Sequence, residues 1–112
     1  MNARRLCAES DIREGEGRGF VFGSGLERAA VFIIRWKGAL HAYRNECPHV
    51  GAPIDWPENR FFDTTGAYLM CGTHGAVFRP DDGFCVEGPC AGRSLANVEI
   101  CLEGGAIFLV AK

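Results

Sequence analysis

Four residues of this 112-residue chain have the types and spacing to do chemistry: Cys47, His49, Cys71 and His74. They fall in two short stretches, Cys47-Pro48-His49 and Cys71-Gly72-Thr73-His74, separated by residues 50–70. Each stretch supplies one thiolate and one imidazole, so together they offer two soft anionic ligands and two neutral nitrogen ligands. Each is also followed by glycine, as Val50-Gly51-Ala52-Pro53 and as Gly75-Ala76. Glycine lets a loop backbone turn tightly and bring its N–H groups close to a bound ion. Two matched loops of this kind read as a metal clamp.

A zinc finger commonly takes one Cys pair and then one His pair, each from its own turn. Here each loop is mixed, Cys-x-His and then Cys-x-x-His. A binuclear iron cluster with both sulfurs on one iron and both imidazoles on the other needs each loop to reach both irons, and mixed loops do so. On these residues alone a mononuclear Cys2His2 zinc or iron site stays open, as does a group of buried side chains with no metal. The longer text decides between them. Asn45-Glu46-Cys47-Pro48-His49-Val50-Gly51-Ala52-Pro53-Ile54, then Cys71-Gly72-Thr73-His74-Gly75-Ala76-Val77-Phe78, Asp82-Gly83 and Gly88-Pro89 resemble the Rieske [2Fe–2S] family. The likeness runs from about Gly38 to Leu95, more than half of the chain. It implies one Rieske-type [2Fe–2S] cluster held by Cys47, His49, Cys71 and His74. It also implies an all-β fold, a Rieske-like antiparallel barrel or sandwich, with two ligand-bearing hairpin loops forming a cluster-binding subdomain. In the family a third loop, here Gly88-Pro89, covers the cluster as a rigid proline flap.

The elements that would position these loops are short strands. Arg4 to Ala8 forms a plausible edge strand, followed by a polar loop from Glu9 to Gly19 and a second strand from Phe20. Arg28 to Trp36 is rich in β-branched and aromatic residues, and Lys37-Gly38 is a two-residue hairpin turn leading back through Ala39 to Arg44. His41 falls in that return strand as an ordinary strand histidine. Residues 56–66 have the composition of a surface excursion and lengthen the gap between the ligand loops beyond the family's usual span. Their aromatics, Trp56, Phe61 and Phe62, either form a docking patch or fold back as a small satellite core. Tyr68–Cys71, Ala76–Arg79 and Phe84–Val86 follow as short strands, with a turn at Pro80-Asp81-Asp82-Gly83. Arg93–Leu102 and Ala106–Ala111 make a last hairpin across Glu103-Gly104-Gly105. This gives nine or ten strands and no helix signature, in a single domain over 1–112 whose cluster-binding part is about 45–92.

Composition narrows the class. Apolar residues make up 47%, which excludes a disordered chain, and glycine, at 15 residues, is about double the usual share. The net charge of −2 comes from scattered signs with no basic stripe, so nucleic acid is not an expected partner. No apolar run reaches the length of a membrane span, and Glu9, Asp11 and Arg13 interrupt any signal core near the start. The expectation is a cytoplasmic protein with no membrane partner, in which thiols stay reduced or metal-bound. Of the four cysteines outside the ligand set, Cys7 and Cys101 are expected as small buried hydrophobes. Cys85 and Cys90 bracket the proline flap, and free thiols are favoured there over a local disulfide.

With both motif histidines used, only His41 remains, and no nucleophile elbow, phosphate loop or second iron site is visible. The resemblance therefore implies a carrier and not an enzyme: a soluble Rieske-type ferredoxin moving single electrons from a ferredoxin reductase to a terminal oxygenase. The alternatives are a small Rieske subunit of a larger reductase, such as assimilatory nitrite reductase, and a zinc-stabilised interaction domain.

The same residues set the expected potential. High-potential respiratory members of the family place a hydroxyl donor after the glycine that follows the second histidine, and one extra cysteine in each ligand loop. Here Ala76 stands at the first place, Thr73 at the second-loop cysteine, and neither Val50 nor Ala52 supplies its mate. Fewer donors to the sulfurs stabilise the reduced charge less. Protein-film voltammetry should place the midpoint low in the range of roughly −150 to +300 mV, and a value above about +150 mV would refute this. Iron-bound imidazoles should also lose their remaining ring protons more readily once the iron is oxidised, so the potential should fall as pH rises.

Overall fold

The computed structural model describes residues 3–22, 29–48, 53–55, 59–72 and 75–110. Among these, nine strands form three antiparallel three-stranded sheets. The first sheet holds β1 (Ala3–Ala8), β9 (Ala106–Val110) and β8 (Ile100–Glu103), in that order. The second holds β2 (Gly17–Phe22), β3 (Ala29–Trp36) and β4 (Ala39–Arg44). The third and smallest holds β5 (Leu69–Met70), β6 (Val77–Phe78) and β7 (Cys85–Glu87). One 3-10 turn, Glu9–Asp11, leads out of β1, and no helix among the described residues is long and apolar enough to cross a membrane.

The middle strand of the second sheet organises the rest. Side chains alternate across a strand, yet residues 30–34 of β3 are all buried, so both faces of β3 are covered. Phe32 and Ile34 belong to the principal core, which also contains Tyr43, Ile54, Leu69, Phe78 and four cysteines. Ile33 belongs instead to a second core with Cys7, Ile12, Ala42 and Ile107, on the side of the first sheet. The small sheet continues the first pattern: Leu69, Phe78 and Cys85 pair in one row and all three are buried.

Turn chemistry agrees with the sequence. Lys37 and Gly38 both take positive φ (52° and 80°), as a type I′ hairpin requires. Their N–H groups donate to the two carboxylate oxygens of Glu14 at 2.7 and 2.8 Å. Gly83 also has positive φ, and its N–H donates to the Arg79 carbonyl at 2.8 Å, closing the Pro80–Gly83 turn. Inside this turn the Tyr43 hydroxyl donates to the Pro80 carbonyl at 2.7 Å. Burial first, then the charges of Asp82 and Asp81, pushes that phenol well above its ordinary pKa.

Three expectations are corrected. The strand expected from Arg93 begins only at Ile100. Between them, Arg93, Leu95 and Val98 donate to the carbonyls of Cys90, Gly83 and Ala42 in turn, so this segment stitches separate elements together and cannot run in register with β9. Cys101 is exposed, not buried. It sits on the edge strand β8, where Ile100 takes the core-facing position and Cys101 points the other way. The last turn is also tighter than expected, because Glu103 pairs with Ala106 and only Gly104-Gly105 is left between them.

The excursion at 56–66 has a definite role. Trp56 lies outside the described residues. Phe61 folds back, but into the principal core and not a satellite: it is 1% exposed and stacks on Phe32 with ring centroids 4.4 Å apart. A side chain at Gly17 would collide with it, since a Cβ there would stand 2.6 Å from a Phe61 ring carbon. Phe62 is partly buried against the same core and bridges to Leu69. Phe61→Ala should lower the unfolding free energy by about 3–5 kcal/mol. Urea denaturation of the wild type and variant measures this, and a loss below about 1 kcal/mol would show that the ring is not structural.

Candidate metal centre

The two sequence-predicted cysteines are both buried, and among the described residues no three Cys, His, Asp or Glu side chains gather as a metal site. Cys47 and Cys71 are 1% and 0% exposed and share the principal core. The other two predicted ligands, His49 and His74, lie outside the described residues. The geometry on view is therefore that of the loop backbones and of the two cysteines.

The first loop is closed at its base by Asn45, which sequence reasoning quoted in the motif but gave no role. Its side-chain oxygen accepts from the Ile54 N–H at 2.8 Å, and its amide nitrogen donates to Asp55 at 2.8 Å. Its own N–H donates to the Ala30 carbonyl of β3 at 2.8 Å. Asn45 is 7% exposed, so these bonds form in a largely dry setting where an unmade one is costly. Asp55 in turn accepts from the Asn59 N–H at 3.0 Å, and Asn59 accepts from the Gly19 N–H of β2 at 2.9 Å. Asn59 has a φ of 64°, a conformation that asparagine tolerates better than most residues. An asparagine two residues before a Cys-Pro loop, able to hydrogen bond its own loop, was the signal available for Asn45.

The second loop is narrower. The Cys71 N–H donates to the Ala76 carbonyl at 2.8 Å, and the Gly75 N–H donates to the Cys71 carbonyl at 2.9 Å. Gly75 takes positive φ (73°), which explains the glycine after the second motif histidine.

Three ties then join the loops pairwise. The Gly72 N–H of the second loop donates to the Ile54 carbonyl of the first at 3.0 Å. The third loop, 85–93, lies directly on the second: a Cβ on Gly88 would stand 2.7 Å from the Ala76 Cα. The Arg93 guanidinium donates to the Pro48 carbonyl of the first loop at 3.3 Å. The expected proline flap is thus seated against both ligand loops.

The sulfur chemistry of the pocket is denser than the ligand set alone. Cys85 and Cys90 are buried free thiols, as expected, with their sulfurs 3.2 Å apart. Burial raises the pKa of the Cys90 thiol, assisted by hydrogen bonding and charge from Cys85 and then by Cys47. Two cysteines from separate loops, buried in one apolar core, supply the thiolate half of the donor set of a Rieske-type centre, and that half fits the group.

Comparison with known proteins gives the class. A family profile described as the Rieske [2Fe-2S] domain matches residues 2–102, and the chain belongs to this family. Domains of this kind hold a [2Fe–2S] cluster, so the zinc and metal-free readings are set aside. No curated protein matches the chain. Among solved structures, the chain is similar to the ferredoxin of carbazole 1,9a-dioxygenase from Nocardioides aromaticivorans IC177, at 19% identity and a TM-score of 0.73, with 100% of each chain covered. It is also similar to a chain of a complex of reduced oxygenase and oxidized ferredoxin of carbazole 1,9a-dioxygenase, at 22% identity and a TM-score of 0.75. That match covers 96% of this chain and 91% of the other. A third likeness is to a chain from a carbazole-bound oxygenase and ferredoxin complex, at 19% identity and a TM-score of 0.76. There the match covers 96% of this protein but spans only 28% of the other chain. Identities this low establish a shared fold.

The network around Asn45 makes a sharp test of how the first loop is held. Asn45→Ala leaves the Ile54 N–H buried without its acceptor, at a cost of about 1–3 kcal/mol. The variant should lose its visible absorbance on heating sooner than the wild type. Equal bleaching of the two proteins would show that this side chain does not hold the loop.

Proposed function

We propose that this protein is a one-electron carrier, the ferredoxin component of a multicomponent oxygenase system, and not itself a catalyst. Cys47 and Cys71 would ligate one iron of the cluster, and His49 and His74 the other. The whole chain, 1–112, would act as a single domain, with the cluster held within about 45–92. When bound, the cluster supplies one reversible electron at a potential raised by its two neutral ligands. The chain's own part is to hold the ligands, exclude water with the core and the third loop, and keep the ligand pattern that sets the potential.

The observation that supports this reading is the burial of both Cys47 and Cys71 in the principal core, with the third loop seated on both ligand loops. The fold shared with a ferredoxin supports the carrier reading. Its partners would be a ferredoxin reductase and a terminal oxygenase, and its place the cytoplasm. His41, the only further histidine of the chain, sits in β4 opposite Ile34.

Anaerobically purified protein should be red-brown and contain iron and acid-labile sulfide in equal amounts. Reduction by one electron should give a rhombic paramagnetic resonance spectrum, which is lost in Cys47→Ser and Cys71→Ser. A colourless protein carrying stoichiometric zinc would overturn the proposal.

A further inference from the structure

Cys85 and Cys90 are not needed as ligands, yet both are buried beside one. Their sulfurs stand 3.2 Å apart, with the Cys90 thiol donating to Cys85, while the Cys85 thiol donates to the Glu87 carbonyl at 3.2 Å. Both share the principal core with Cys47 and Cys71. The backbone holds the pair in place: the Cys85 N–H donates to the Arg93 carbonyl at 2.7 Å, and the Gly92 N–H donates to the Cys85 carbonyl at 3.0 Å. Between the two sulfurs runs the flap, and residues 86–89 and 91–92 are all exposed.

We propose that Cys85 and Cys90 are a redox-active dithiol that peroxide closes to a disulfide, pinning the flap. The two sulfurs are already paired, so closure needs only a small approach and no rearrangement of the sheet. A thin loop with an exposed outer surface opens locally far more readily than the core unfolds, and this admits a small oxidant. One sulfur attacks a peroxide oxygen: an S–O bond forms, the O–O bond breaks, and one water leaves behind a sulfenic acid. The second sulfur attacks the first, forming the S–S bond and breaking the S–O bond, and a second water leaves. Two electrons and two protons pass from the thiols to one peroxide.

The test uses the iron-loaded full chain carrying Cys101→Ser, which removes the exposed thiol. After stoichiometric hydrogen peroxide, free thiols are alkylated and the chain is cleaved after Glu87, the only acidic residue between the two cysteines. The expected result is a single linked fragment that dithiothreitol splits in two. Full alkylation of both cysteines would overturn the proposal outright. The fragment readout does not depend on bound iron, so its failure is distinct from failure of the carrier reading.

Discussion

The structure depends on burying two cysteines from separate loops in one core that water does not reach. The strands that flank Cys71, β5 and β6, are only two residues each. Position is secured instead by single hydrogen bonds and close backbone approaches between loops, from Gly72 to Ile54, Gly88 against Ala76 and Arg93 to Pro48. Each loop therefore touches the other two. Removing one tie leaves the remaining loops braced, which suits a centre whose electronics depend on dryness and on the donors around its sulfurs.

Behind the loops, β3 does two jobs. One face carries Phe32 and Ile34 toward the metal side, and the other carries Ile33 toward the core shared with β1 and β9. Asn45 bonds to Ala30 of this same strand, so the first ligand loop is attached directly to the most buried strand of the molecule. A rigid support of this kind is how a mostly irregular site keeps its shape.

Much of this was legible in the residues. Cysteine, histidine and glycine at fixed offsets announce a metal site because few other arrangements need that combination, and Lys37-Gly38 announces its hairpin through Gly38, which takes positive φ without strain between two apolar runs. What escaped depends on tertiary partners. Asn45 looks like any loop asparagine until Ile54 and Asp55 appear beside it. Phe61 sits in a stretch whose composition says surface, and only Gly17, distant in sequence, makes the space that lets it enter the core. Arg93 to Glu99 was misread because its donors answer to three different neighbours, a fact that no local periodicity records. Cys101 was misread because a strand at a sheet edge has one covered face, and alternation put the cysteine on the other.

The tip of the excursion between the ligand loops closes on itself. The Asp63 carboxylate accepts from the N–H groups of Thr65 and Gly66 and from the Thr65 hydroxyl, while the Asp63 N–H donates to the Tyr68 carbonyl. Residues 64–67 are exposed, and the Phe62–Leu69 bridge seals the chain beneath them. Extra sequence joined at this point would leave the core untouched. That makes it the natural place to graft a tether, a label or a fused reductase without disturbing the redox centre.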